Sequence, residues 1–417
     1  MGEGRPIAVA FNRIGPYHHA RLCAVAKKLP LLALEGCDID RTYLWDKVQR
    51  ASEYPVRTLF DSGDCEEQRP SVVRQAVFKV LNEMNPAIVV APGWASKLAL
   101  SLLDWAMTSR KPAVVLSDST MWDEKRTLFR ECIKKRIISC FSSGFVAGTA
   151  HADYIMRLGM RSPNVALGYD VIDNDYFRTG AEKSRKQQKE RKKQKAKTGK
   201  EFCLPENYFL ASARFVRKKN LSRLVEAYVL YRGKKDSQRP RSTAKTEAPW
   251  FLVILGDGPL RGELKRQVAE AGLQNYVLMP GFKQYDELPV YYGLASVFVH
   301  ASTTEQWGLV VNEAMASGLP VLVSSRCGCA QDLVHEGVNG FTFDPYNVEQ
   351  LAELMLKVSA SSCPLSALGS ASCEIISHWG LDRFANGFQQ AVEIGLTNPR
   401  PRERLLDRLL LRLLLLR

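Results

Sequence analysis

Residues 301–320, ASTTEQWGLVVNEAMASGLP, constrain this chain more than any other stretch. They follow a short apolar run, 296–300, rich in β-branched residues, which predicts a strand. They continue into a helical pattern over 309–317 that Gly318 and Pro320 close. The polar turn between holds Glu305, Trp307 and Gly308, with Leu309 opening the helix and Glu313 inside it. A strand end, a turn and a helix N-terminus together present unpaired backbone N–H groups and the positive end of the helix dipole. Such a place favours phosphate or the oxygens of a ligand. Two carboxylates eight positions apart add hydrogen-bond acceptors at two depths, which suits a polyhydroxylated ligand. The plain alternative is a pair of solvated glutamates around a helix start.

The rest of the chain repeats this strand–loop–helix pattern. Apolar runs at 6–12, 29–34, 55–60, 87–91, 113–116 and 144–147 alternate with helical segments such as 72–84, 96–108 and 124–138. The alternation restarts at 207. Alternating β and α units predict a doubly wound parallel sheet, here twice. Residues 209–220 begin as a strand and end in a basic loop that carries Arg214 and Lys219. Residues 251–259 are a strand meeting the turn Gly256-Asp257-Gly258-Pro259, 277–282 run into Gly281-Phe282, and 319–328 end at Gly328. The domains expected are 1–178, a basic linker or insertion at 179–205, a second domain at 206–396, and a Leu/Arg-rich tail at 397–417.

In order and spacing, these motifs resemble the C-terminal domain of the retaining family 4 (group 1) glycosyltransferases. That pattern has a strand followed by Arg, four residues, Lys and Gly, then a GxGP-like turn, a Glu-x7-Glu helix start and a Gly-Gly-x-x-Glu loop. The resemblance covers residues 207–396 and is weaker before them. It departs at Asn220, where the family has Gly, and at Trp307, where Phe is commoner. It implies an α/β protein of GT-B fold, two Rossmann-like domains facing across a cleft. The activity implied is transfer of a sugar from a nucleotide-diphosphate donor to an acceptor hydroxyl, with retention.

By the same resemblance, Arg214 and Lys219 neutralise the departing diphosphate in place of a metal, as a guanidinium and an ammonium can. Glu305 contacts donor-sugar hydroxyls, and Glu313 takes the ribose hydroxyls. Backbone N–H groups at Trp307, Gly308 and Leu309 reach phosphate or sugar. Phe282 lies by the base, Gly256 and Gly258 shape a turn near the nucleotide, and Gly15 of the N-terminal domain faces the diphosphate. For each basic or glycine position the alternative is an ordinary surface charge or a structural turn. His18, Trp94, Asp118 and His151 are the acceptor-side candidates, with exposed helix residues the simpler account of His18 and its neighbour His19. The donor is a UDP- or GDP-sugar, and the acceptor an unspecified sugar or lipid-linked molecule. Rival readings are a non-catalytic nucleotide-sugar-binding protein and a GT-B-fold epimerase or phosphorylase.

Charge narrows the partners. Of the formal net charge of +14, residues 182–200 hold +8 and residues 400–417 hold +4, leaving +2 for all the rest. A nearly neutral body with basic appendages argues against a nucleic-acid groove. The appendages are either solvated segments or peripheral contacts with an anionic membrane, through 182–200 and 404–417. In the tail, Arg404, Arg408 and Arg412 share one stripe of a Leu-rich helix. No run of about 18 apolar residues suggests a membrane span, and the N-terminus lacks a signal-peptide layout, so the expected location is cytoplasmic, with peripheral membrane contact. The ten cysteines and six histidines show no zinc spacing, so no metal site and no cofactor beyond the donor substrate are expected.

Overall fold

The computed structural model describes residues 5–37, 53–61, 65–195, 204–237, 248–398 and 405–416. Two compact units emerge. The first joins Met1–Asp173 to Trp379–Arg417, and the second is Asn174–His378.

Among the described residues the first unit has seven strands: β1 (Ile7–Phe11), β2 (Leu31–Cys37), β3 (Val56–Phe60), β4 (Ile88–Pro92), β5 (Ala113–Ser117), β6 (Ser143–Val146) and β7 (Val165–Leu167). They pair in the order β3-β2-β1-β4-β5-β6-β7, all parallel. Successive side chains leave a strand on opposite faces, and both faces here are covered. Ala8 and Ala10 of β1 join a core with Leu98, Leu102 and Trp105 of the helix Lys97–Thr108. Ile7, Val9 and Phe11 join another with Leu22 and Val25 of the helix Pro16–Ala26. Burial on both sides explains why the strands read as continuous apolar runs without alternation.

The second unit contains β8 (Tyr208–Ser212), β9 (Phe251–Leu255), β10 (Val277–Gly281), β11 (Val297–His300), β12 (Val321–Ser324) and β13 (Gly340–Phe343). Their order is β10-β9-β8-β11-β12-β13, again all parallel. Two doubly wound parallel sheets are the architecture expected from the alternation of elements.

The division of the chain differs from the sequence reading at three places. Residues 381–396, expected in the second domain, belong to the first unit. The helix Leu381–Thr397 sets Phe384, Phe388 and Val392 into the core with Ile7, Val9 and Phe145. Its backbone comes so near that a Cβ on Gly387 would lie 2.4 Å from the Leu167 carbonyl oxygen. Apolar periodicity marks this helix clearly, but a stripe does not say which sheet it covers.

The second difference is the basic segment 179–205. Its first part is the helix Asn174–Lys195, whose Phe177, Ala181 and Ser184 are buried. It packs closely on the helix Leu288–Leu294: a Cβ on Gly180 would meet Pro289, and one on Gly293 would meet Ala181. Arg185 donates from Nε to the Gly293 carbonyl at 2.9 Å and also to the Ser317 carbonyl, closing two helix C-termini. Three small or apolar positions on one stripe suffice to bury a helix face that its composition hides. Residues 196–203 lie outside the described residues, as do residues 238–247.

The third is the tail. The helix Leu405–Leu414 docks on the first unit through Leu411 and Leu415, with Asp407 buried and paired to Arg136 at 2.8 Å. Its other side carries Leu405, Leu406, Leu409, Leu413 and Leu416, each more than half exposed. Arg404 is outside the described residues.

Arg21 is a buried polar tie inside the first unit. It is 1% exposed and donates to the Val171 carbonyl at 2.9 Å and to Asp170 at 3.2 Å. Its guanidinium lies over the rings of Tyr169 and Phe384. Removing one partner of such a pair leaves a buried charge behind, so Arg21→Ala is expected to lose about 3–5 kcal/mol of unfolding free energy. Chemical denaturation of the variant beside the parent checks this.

Candidate functional site

A parallel strand delivers the loop at its C-terminal end to one edge of the sheet. In the second unit, β8, β9, β10, β11 and β12 deliver Lys219, Asp257, Phe282, Glu305 and Arg326 to that edge. Ligands of open α/β sheets bind there.

The loop after β8 holds Arg214, half-buried, and then the short 3-10 turn Arg217–Lys219. Asn220 follows in left-handed conformation, φ 57°. This is the departure noted in the sequence, and its backbone explains the family's glycine: only Gly, Asn and Asp take that conformation at low cost. The asparagine adds a function of its own. Its side-chain N–H groups donate to the Ala301 carbonyl at 3.0 Å and the Pro345 carbonyl at 2.8 Å, tying the basic loop to the ends of β11 and β13. Lys219 is thereby set against the loop that carries Glu305.

Gly256 and Gly258 serve this same loop. Both have positive φ, at 120° and 152°. A Cβ on Gly256 would lie 1.9 Å from the Ala213 carbonyl oxygen, and one on Gly258 would run into the Phe215 backbone. Phe215 N–H donates to the Asp257 carbonyl at 2.8 Å. The turn after β9 is therefore packed backbone to backbone against the Arg214 loop, and its glycines answer a packing demand. Phe282, half-buried, directly follows β10.

Glu305 is the centre of the site. Its backbone is held on both sides, with Glu305 N–H donating to the Arg326 carbonyl and Gly328 N–H donating to the Glu305 carbonyl. Its side chain, 12% exposed, forms an ion pair with Lys219, 11% exposed. His300, the last residue of β11, lies 3.1 Å away through Nε2, and the Ser302 hydroxyl is at 3.3 Å. Burial would push the Glu305 carboxyl up, but the Lys219 ammonium and the His300 hydrogen bond outweigh it and hold the group ionised, well below the usual range. Burial also lowers the His300 pKa, partly offset by its bond to Glu305.

The turn from Glu305 to the helix Leu309–Ala316 passes through Gly308 at φ 104°, its Cβ position pointing at Glu305 Cγ, 3.4 Å away. Trp307 is 2% exposed and donates from Nε1 to Asn312 at 2.9 Å. Its ring thus braces the turn from beneath, leaving only backbone as its means of contact with a ligand. Leu309 opens the helix. Glu313 sits 1% exposed on it, beside Tyr292, whose phenol is pushed up first by burial and then by the Glu313 charge. The second unit thus brings Lys219, Glu305, Gly308 and Glu313 onto neighbouring elements. Sequence reasoning missed His300, Ser302 and Tyr292. His300 stands at the end of a run that reads as strand alone, and Ser302 in the polar turn that follows it.

In the first unit, Gly15 is the N-cap of the helix Pro16–Ala26, and a Cβ there would meet nothing within 4 Å. His18 is half-buried, not an exposed helix residue. Its ring stacks on Phe11 at 4.1 Å and its Nδ1 is 3.0 Å from the Arg13 carbonyl. Burial, aided by Arg21, brings its pKa down to about 3, so the ring is neutral at ordinary pH. Trp94 follows β4 and meets Tyr154, the ring centroids 6.3 Å apart, and Asp118 follows β5, half-buried. His151 is 1% exposed, and its Nδ1 accepts from the Gly148 N–H at 3.2 Å, capping the helix Thr149–Arg157. That committed ring fits a structural role.

Asn220 offers a direct test of the loop. Asn220→Gly keeps the backbone conformation and loses three side-chain hydrogen bonds, the two it donates and one it accepts from Arg223, so it is expected to cost about 1–3 kcal/mol. Asn220→Ala adds the left-handed penalty of about 1–2 kcal/mol. Urea denaturation should rank them parent, Gly, Ala in falling stability.

Residues 187–370 match the family described as "Glycosyl transferases group 1". Among curated proteins, the chain is 33% identical over 133 residues to alpha-monoglucosyldiacylglycerol synthase of Acholeplasma laidlawii, covering 32% of this chain and 30% of that protein. It is 30% identical over 142 residues to the GDP-mannose-dependent alpha-(1-6)-phosphatidylinositol monomannoside mannosyltransferase of Mycobacterium tuberculosis, covering 32% and 37%. The chain thus spans about a third of the length of these relatives. Among solved structures, Anabaena HepE in complex with UDP superposes with a TM-score of 0.69 at 19% identity, over 94% of this chain and 100% of that one. Sucrose-phosphate synthase of Thermosynechococcus elongatus gives 0.70 at 18%, over 94% and 98%. The family match lies within residues 187–370, and the two Rossmann-like parallel sheets have the GT-B fold of these solved structures.

Proposed function

We propose that the protein transfers a sugar from a nucleoside-diphosphate sugar to an acceptor hydroxyl with retention of anomeric configuration. The observation that carries this is the Lys219–Glu305 pair, set at the C-terminal ends of β8 and β11 beside the backbone turn at Gly308. A cation and an ionised acceptor held together match the two ends of the bond that breaks. As the C1–O bond lengthens, negative charge grows on the diphosphate and Lys219, with Arg214, receives it. Glu305 meanwhile accepts from a donor-sugar hydroxyl, and Glu313 from the ribose. UDP is bound by HepE and GDP-mannose names the mycobacterial relative's donor, which supports a UDP- or GDP-sugar here.

On this reading Arg214 and Lys219 stand in for a divalent metal. One well-aimed cation in a site of low dielectric is worth about 10²–10³ in rate. Turnover of UDP-glucose or GDP-mannose should persist in excess chelator and fall by about that factor in Arg214→Ala and in Lys219→Ala. Arg214→Lys should recover only part, since an ammonium lacks the two-pronged contact. Activity lost in chelator and restored by magnesium or manganese would overturn metal independence. Nucleotide binding with no turnover at all would favour the non-catalytic reading.

The acceptor we assign to a membrane surface. Two relatives are named for diacylglycerol and phosphatidylinositol substrates. The helix Leu405–Leu414 presents four exposed leucines, with Leu416 just past its end, edged by Arg408 and Arg412, while its other side is docked. Such a helix suits the boundary between headgroups and acyl chains, and its arginines suit anionic lipid. Co-sedimentation with anionic vesicles should weaken as salt rises and when Leu409 and Leu413 are both changed to Ser. Equal pelleting on neutral vesicles, or none, counts against it.

A further inference from the structure

We infer that His300 and Ser302 are positioning residues for Glu305, fixing one carboxylate oxygen so that the other is reserved for a ligand hydroxyl. The inference rests on the donor-site reading above and deepens it.

All three described polar partners of the Glu305 carboxylate converge on one atom. Lys219 Nζ, His300 Nε2 at 3.1 Å and Ser302 Oγ at 3.3 Å all meet Oε2. Among the described residues none donates to Oε1. An ionised carboxylate cannot face an imidazole lone pair, so Nε2 carries the proton and donates. Ser302, 3.2 Å from that same nitrogen, then turns its hydroxyl hydrogen to Oε2. Oε2 has its donors, and Oε1 is an acceptor only, so the group it takes is a hydrogen-bond donor such as a sugar hydroxyl.

The arrangement answers a problem that the ion pair creates. If Lys219 is the cation that meets the diphosphate, its ammonium is drawn away from Glu305 as the donor binds. A carboxylate held by Lys219 alone would follow it or swing free. His300 is 3% exposed at its side chain, anchored in β11 and stacked with Phe298 at 6.3 Å. Ser302 is fully buried. Neither side chain has room to follow a ligand. They keep Glu305 in place while Lys219 changes partner, so the two charges of the site act independently though they start as a pair.

The test uses the full chain with His300→Phe, which keeps a ring and removes the donor, and His300→Gln, which returns an N–H near the Nε2 position. UDP and GDP binding is measured by calorimetry, UDP-glucose and GDP-mannose turnover by nucleotide release, and folding by thermal melts. A misplaced reacting contact costs up to about 10²-fold. His300→Phe is therefore expected to lower kcat by roughly 10- to 100-fold with nucleotide affinity and KM little changed, and His300→Gln to recover most of it. Parental kcat in His300→Phe, an equal loss in both variants, or a change in KM alone would overturn the inference. If the parent turns over neither donor, the donor assignment fails, and nitrogen-detected NMR of the His300 ring decides this inference separately. A neutral ring protonated at Nε2 supports it, and a proton on Nδ1 overturns it.

Discussion

Everything at the candidate site depends on one constraint of parallel sheets. Each strand must be entered again from the same end, so every return passes through a helix and every functional loop leaves at the opposite edge. In the second unit this gathers residues from 214 to 326 of the chain at the tips of five strands without any long-range pairing signal between them. Lys219 and Glu305 are 86 positions apart and meet because β8 and β11 are neighbours in the sheet. The chemistry then needs only short loops to finish the work.

Those loops are held by backbone far more than by side chains. Gly256 and Gly258 are glycine because another main chain occupies the place of a side chain, and Gly308 because its φ of 104° suits glycine. Asn220 shows the same demand met another way, with a left-handed residue whose amide also fastens the loop to its neighbours. A site that must hold one ammonium against one carboxylate has little tolerance for a mobile loop. Close main-chain packing supplies the stiffness at small cost in sequence.

Much of this was legible in the sequence. The alternation of apolar runs and helical segments gave the two sheets, and the helix opening at Leu309 begins where the Trp-Gly-Leu turn placed it. Local patterns cannot report what a helix packs against. That is why the helix Leu381–Thr397 was assigned to the wrong sheet, and why the buried stripe Phe177, Ala181, Ser184 was lost inside a lysine-rich stretch. The site was legible as a set of charged residues at loop positions, and the convergence on a single oxygen of Glu305 was not. His300 ends an apolar strand and carries no motif. Only the turn of the chain after β11 brings its ring back to the residue five positions ahead.

The first unit consists of two stretches of chain with the second unit between them. During synthesis, at about 5–20 residues per second, the second unit has all its strands before residue 381 is made. The first unit has seven strands by then and one face without Phe384, Phe388 and Val392. That face is apolar and stays only partly covered, by the helix Pro16–Ala26, while some 200 residues are added. The order of completion is therefore reversed from the order of the sequence, and the half-finished N-terminal sheet is the species most exposed to chaperones and to aggregation.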